Sequence, residues 1–188
     1  MVTAAANALL KFIEEPPQNT VWILISSKRE TMLSTIKSRC QSIPFAPLST
    51  DIIEEILKDN YVENDLAHKA AIFAEGSTEK AFLISSLLED FAPLERDASF
   101  ATQAALNLPR TLAQARPKVN IILDMLAQKV HQNWLETNDE KTKKTLAKLI
   151  QDFVFYKKAL KQNVAPQMLA EAALIKAENA NINIQEIL

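Results

Sequence analysis

Glycine is almost missing from this sequence. Gly76 is the single glycine among 188 residues. Loops that cradle phosphate groups need several glycines, because the backbone must come close to the phosphate and adopt positive φ angles. The chain therefore holds neither a P-loop nor a glycine-rich dinucleotide fingerprint. No nucleotide cofactor is expected in this chain itself.

Residues that build redox and metal centres are also scarce. Cys40 is the sole cysteine, and His68 and His131 are the two histidines. One thiol cannot form an internal disulfide, and a structural zinc site needs four cysteine or histidine ligands. No metal site is expected, and the cysteine usage fits the reducing cytoplasm.

Long apolar runs are absent, and neither sign of charge dominates. No run reaches the roughly 20 apolar residues that span a bilayer, and the first residues lack the basic stretch and apolar core of a secretion signal. The formal net charge of −2 argues against binding nucleic acid through overall charge. The sequence predicts a soluble, cytoplasmic protein without membrane contact.

The composition that remains is typical of helices. Hydrophobic residues make up 48% of the chain but aromatic residues only 6%, which predicts a mostly α-helical protein. Residues 1–46 are the exception. An amphipathic helix at Thr3–Glu15 precedes an apolar strand at Val21–Ile25, a short helical stretch, and a second short strand at Ser42–Phe45. This order is typical of one piece of an α/β sheet, so we expect the chain to be a fragment with an internal start.

Two helical regions follow this piece. Residues 47–90 carry the cap signals of three short helices. The first is capped by Ser49 or Thr50, the second by Asn64 and closed by Gly76, and the third by Ser77 or Thr78. In residues 91–188, longer helices are predicted at about 94–107, 109–134 with a kink at Pro117, 139–162 and 166–177. Apolar stripes on the last two are predicted to face a core; they comprise Leu146, Leu149, Ile150 and Phe153, then Met168, Leu169, Ala172 and Ile175.

Arg39 is the candidate for chemistry. It lies in Ser38-Arg39-Cys40, between the two predicted strands, where its guanidinium could project toward a neighbouring molecule and bind a phosphate bidentately. The alternative is a local ion pair, which is the ordinary state of a surface arginine. The tripeptide alone leaves both interpretations open.

Several short sequence motifs in the first 46 residues occur together in a known family. Residues 5–17 (AANALLKFIEEPP), an apolar strand and then Ser38-Arg39-Cys40-Gln41 resemble the second half of the AAA+ module in bacterial DNA polymerase III clamp-loader subunits, with the delta-prime type fitting best. The resemblance implies that residues 1–46 are the C-terminal part of the AAA+ core. Residues 47–90 are then a three-helix lid, and residues 91–188 a helical collar through which five subunits associate. The family's Walker A and Walker B segments are absent here.

The resemblance also implies a role for Arg39. In similar proteins the arginine of Ser-Arg-Cys reaches the ATP of an adjacent subunit, where its charge stabilises the transition state. Ser38 and Cys40 then shape the turn and fill the core. ATP and Mg²⁺ belong to the neighbouring subunits. The implied partners are the gamma/tau and delta subunits and, through the complex, the sliding clamp and primed DNA. The resemblance thus implies a chain without an active site of its own that contributes to a DNA-directed DNA polymerase holoenzyme.

Glu79 distinguishes the types of subunit. ATP-binding relatives read Gly-Ser-x-Arg in the lid, where this chain reads Gly76-Ser77-Thr78-Glu79, and a carboxylate repels a triphosphate. Lys80 could replace the arginine only by a register shift. Glu79 therefore favours a non-hydrolysing scaffold subunit. The alternatives are a fragment of the ATP-hydrolysing gamma/tau subunit and an unrelated helical interaction module.

Overall fold

The structure, a computed structural model, describes residues 10, 12–26, 29–94, 99–184 and 187–188. The described chain is mostly α-helical, which confirms the predicted fold class. It divides into two compact units, Met1–Ala46 and Pro47–Leu188.

The first unit has little regular structure among its described residues. Residues 10 and 12–14 are helical, and most of the helix predicted at Thr3–Glu15 lies outside the described residues. A 3-10 turn at Arg29–Thr31 leads into a four-residue helix, α1, at Ser34–Lys37. Ile36 on α1 is 1% exposed and is the buried anchor of this segment.

Neither of the two predicted strands forms within the described residues. Residues 20–26 and 41–49 have no strand assignment, and Val21, Ile25 and Phe45 are 84%, 94% and 92% exposed. A strand needs a partner that satisfies its backbone N–H and C=O groups, and the described part of this unit supplies none. The prediction of two strands is therefore wrong for the described chain, and the assignment to an AAA+ core stays a prediction.

The second unit is built from helices that bury one apolar face each. Three short helices, α2 to α4, pack on one another, α8 packs on α5, α6 and α7, and α4 contacts α5 and α6. In the described residues no helix is long and apolar enough to cross a membrane. The helices are α2 Thr50–Asp59, α3 Asn64–Phe73, α4 Thr78–Phe91, α5 Phe100–Asn107, α6 Leu112–Glu136, α7 Glu140–Ala159 and α8 Pro166–Asn179.

Two of the predicted caps form as expected. The Ser49 hydroxyl accepts a hydrogen bond from the Ile52 amide at 3.4 Å, and the Ser77 hydroxyl accepts one from the Lys80 amide at 3.2 Å. Each bond satisfies an amide that has no partner in the first helical turn. The third cap is wrong by one position, because Asn64 is already the first residue of α3.

The later helices differ from the prediction mainly at their ends. Helix α5 begins at Phe100, and residues 95–98 of the predicted helix lie outside the described residues. Helix α6 continues through Pro117. Leu146, Leu149 and Phe153 of the α7 stripe are buried, as predicted.

The predicted α8 stripe is partly wrong. Leu169 is buried, but Met168 and Ile175 are 67% and 42% exposed. The buried face is instead formed by Leu169 and Leu174 with three alanines between and after them, Ala170, Ala173 and Ala177. Small alanine side chains let α8 approach its neighbours closely. This face therefore packs into the core, and the face that carries Met168 and Ile175 stays exposed.

Candidate functional site

Arg39 stands in the turn that follows α1. Ser38 is the C-terminal cap of that helix, and the Arg39 amide donates to the Ile36 carbonyl at 3.1 Å. Because Ile36 is buried, this hydrogen bond ties the turn to the interior of the first unit. The side chain of Arg39 is 41% exposed, so its guanidinium lies at the surface of the first unit.

The guanidinium makes polar contacts on two sides. Nη2 lies 2.6 Å from Oε1 of Glu14, whose side chain is 45% exposed. Nη1 donates to the Thr35 carbonyl at 3.1 Å and to the Ser38 hydroxyl at 3.4 Å. The Ser38 hydroxyl in turn donates to the same carbonyl at 3.1 Å. The local ion pair that the sequence left open is thus present, and Ser38 helps to fix the fork of the arginine.

Cys40 directly follows Arg39 in the sequence. It is half-buried and carries a free thiol. Together with Met32 and Ile36 it lines a groove of about 770 Å³ in the first unit. Cys40 thus forms part of the wall of this groove, next to the turn that presents Arg39.

The segment between α3 and the first turn of α4 carries side chains of both charges. Glu79 is exposed on the first turn of α4. Lys80 is only 19% exposed, and its ammonium lies 2.8 Å from Oε2 of Glu75. The ammonium of Lys80, which a register shift would have to place in the position of the arginine, is thus already paired with Glu75.

Metal-ligating side chains are dispersed in the described ranges. Nowhere in these ranges do three histidine, cysteine, aspartate or glutamate side chains come together as a metal ion would require. His68 contacts Glu54 at 2.7 Å, and His131 stacks on Trp134.

Comparison of the sequence with known proteins finds similarity both to the first part of the chain and to its whole length. A family model described as DNA polymerase III, delta subunit, matches residues 1–49, which include the Ser38–Cys40 turn. The whole chain aligns with DNA polymerase III subunit delta' of Bacillus subtilis at 27% identity. The chain is thus similar to a delta' subunit along its whole length.

Other relatives match parts of the chain. The delta' subunit of Escherichia coli K12 is 47% identical over 47 residues, 25% of this chain and 14% of that protein. The gamma/tau subunit of Mycobacterium tuberculosis H37Rv is 30% identical over 113 residues, 57% of this chain and 19% of that protein. The chain spans 60% of the length of the Bacillus subtilis subunit. No solved structure matches it significantly.

The contact between Glu14 and Arg39 was not predicted from the sequence. The two residues stand 25 positions apart, and no periodic pattern links them. Glu14 precedes the two prolines that end the first helix, so the only local signal at this position is that of a helix end. Their pairing arises from the tertiary structure of the first unit.

Proposed function

We propose that this chain works in the cytoplasm as a non-hydrolysing subunit of the DNA polymerase III clamp loader. Its Arg39 acts in trans on ATP and Mg²⁺ held by a neighbouring gamma/tau subunit during loading of the sliding clamp on primed DNA. The match of residues 1–49 to the delta family is the observation that carries this proposal. The alignment of the whole chain with a delta' subunit supports it.

The position of Arg39 suits action on another molecule. A guanidinium that is 41% exposed at a turn can reach a surface that docks against it. Its planar fork of N–H donors matches the oxygens of a phosphate. In a contact that excludes water, its charge stabilises the negative charge that develops as the γ-phosphate is transferred.

The chain's own lid segment supports a non-hydrolysing role. Glu79 stands where ATP-binding relatives carry an arginine, and Lys80 is held by Glu75. A carboxylate close to a triphosphate is repulsive. Hydrolysis in the complex then depends on the neighbour's site, and this chain supplies the arginine.

A scaffolding role rests on the last two helices. Phe155 on α7 is 65% exposed, and Met168 and Ile175 on α8 are 67% and 42% exposed. Aromatic residues and methionine are enriched in protein contacts relative to the rest of the surface. We propose that they meet the delta and gamma/tau subunits of the ring.

The test of the arginine is a substitution in the clamp loader assembled from full-length subunits. Arg39→Ala should lower DNA-stimulated ATP hydrolysis by about tenfold or more, because trans arginines contribute large factors to phosphoryl transfer. Assembly, measured by gel filtration, should stay intact. Arg29→Ala is the matched control, since Arg29 is also an exposed arginine of the first unit. Equal ATPase activity in the Arg39 and Arg29 variants would refute the trans role.

The alternative function is that of a gamma/tau motor subunit. The 30% identity to the mycobacterial gamma/tau subunit favours it. It requires a P-loop encoded upstream of the present sequence in the same reading frame. Reading the genomic sequence upstream of Met1 decides between the two, because a G-x-x-x-x-G-K-[ST] motif there would favour the motor subunit.

A further inference from the structure

The guanidinium of Arg39 is held by two chemically different contacts. On one side, the neutral Thr35 carbonyl and Ser38 hydroxyl accept hydrogen bonds from Nη1. On the other side, the Glu14 carboxylate lies 2.6 Å from Nη2. The neutral contacts come from the helix that carries the arginine, so they move with it. Glu14 is the charged partner, and a phosphate oxygen can replace it like for like.

The exposure of this pair makes such an exchange easy. The two side chains are 41% and 45% exposed, and ion pairs in that environment are weak because water and salt screen them. A triphosphate carries more charge than one carboxylate, and a subunit interface excludes water. The contact between Arg39 and a phosphate at a subunit interface is therefore stronger than the exposed contact between Arg39 and Glu14.

We propose that Glu14 is a positioning residue for Arg39, and that the γ-phosphate of a nucleoside triphosphate on the neighbouring subunit takes its place. This inference rests on the proposed trans role of Arg39. In the resting complex Glu14 holds the guanidinium, so only a fraction of the molecules present it to the phosphate. The apparent activity of a two-state site falls in proportion to that fraction.

The test compares Glu14→Gln with Glu15→Gln in the assembled clamp loader. Glutamine keeps the size of the side chain but removes its charge, and Glu15 is the adjacent exposed glutamate. Glu14→Gln should raise ATP hydrolysis without DNA by about two- to fivefold, the factor that corresponds to a weak exposed ion pair. Hydrolysis stimulated by clamp and primed DNA should stay unchanged, because there the phosphate has already displaced Glu14.

Salt provides a readout that a purely structural role of Glu14 would not produce. The ratio of the two variants' basal rates should fall toward one as salt rises from about 0.1 to 0.5 M, because screening weakens the pair that Glu14 forms in the control. In the chain alone, phenylglyoxal should modify Arg39 faster in Glu14→Gln than in Glu15→Gln. Modification of Arg29, followed in the same mass spectra, serves as the internal reference.

Each outcome separates this inference from the proposed function. A basal rate of Glu14→Gln equal to or below that of Glu15→Gln, while Arg39→Ala still lowers the stimulated rate, would overturn the role of Glu14 alone. An unchanged rate in Arg39→Ala would overturn the trans role itself. The double variant Glu14→Gln/Arg39→Ala should behave like Arg39→Ala, since Glu14 acts only through the arginine. An additive effect in the double variant would also overturn the positioning role.

Discussion

Gly76 and Pro47 approach each other so closely that no side chain fits between them. A Cβ placed on Gly76 would lie 2.2 Å from the Cβ of Pro47, and Gly76 has a φ of +84°. The amide of Leu48 donates to the Gly76 carbonyl at 3.1 Å. The single glycine of the chain thus joins the start of the second unit to the turn between α3 and α4.

Gly76→Ala should therefore destabilise the second unit. The substitution adds a steric clash to an unfavourable backbone conformation, so we expect a loss of about 1–3 kcal/mol in the free energy of unfolding. Urea denaturation followed by circular dichroism measures it. In a double-mutant cycle, Pro47→Gly should recover part of the loss by removing the clashing Cβ. An unchanged urea midpoint in Gly76→Ala would contradict the close approach.

The ion pair between Lys157 on α7 and Asp124 on α6 should contribute measurable stability. Both side chains are about one-third exposed, and Asn120 donates to the other carboxylate oxygen at 3.1 Å. Lys157→Met leaves a partly buried carboxylate without its cation, so we expect a loss of about 1–2 kcal/mol. Lys58 pairs with Glu54 one turn away on the same helix, and Glu54 also contacts His68. The control Lys58→Met should therefore lose less than about 0.5 kcal/mol, as is usual for a pair within one helix.

Thermal denaturation of both variants under the same conditions measures the difference. A smaller loss in Lys157→Met than in Lys58→Met would show that the pair between α6 and α7 is worth no more than a pair within one helix.

Asp139 should give the second unit a pH-dependent contribution to stability. Hydrogen bonds from the Thr142 hydroxyl and amide hold the pKa of Asp139 below its ordinary value of 3.8. A lowered pKa in the folded state stabilises the fold above pH 3.8, and this contribution is lost as the pH falls through the folded-state pKa. Asp139→Ala should lower the Tm by about 2–4 °C at pH 7.

The Tm difference between Asp139→Ala and the wild type should shrink as the pH falls below 4. Glu140→Gln, which removes an adjacent charge without removing the cap, is the control. A Tm difference that stays constant between pH 7 and pH 3 would argue against the capping carboxylate as its source.

The second unit should fold without the first. The buried side chains of its core all lie within residues 47–188. A chain of residues 47–188 should show helical circular dichroism and a cooperative thermal transition. In the whole chain, limited proteolysis should cut first within 20–26 and 41–46, which have no regular structure. Loss of cooperative unfolding in the shortened chain would contradict this independence.

Local signals in the sequence predicted the second unit well. Ser49 and Ser77 cap their helices and Gly76 takes a positive φ because these features depend on neighbouring residues alone. Which face of α8 is buried depends on its neighbours in space. The stripe through Met168 and Ile175 has the right period for a core face, yet the alanine-rich face packs instead.

The first unit was harder to predict for a similar reason. Val21–Ile25 has the composition of a strand, but a strand is completed by hydrogen bonds to a partner that the segment itself does not encode. The contact between Glu14 and Arg39 likewise joins two segments that are remote in the sequence. The sequence identified Arg39 as the candidate residue, and its charged neighbour became visible only in three dimensions.

Cys40 makes the candidate site open to direct observation. It is the sole thiol of the chain, it is half-buried, and it directly follows Arg39. A small fluorescent or spin label on this thiol is therefore attached at one defined position without any prior cysteine removal. Its signal then reports when a docking neighbour covers the turn, and the association of subunits can be timed separately from ATP hydrolysis.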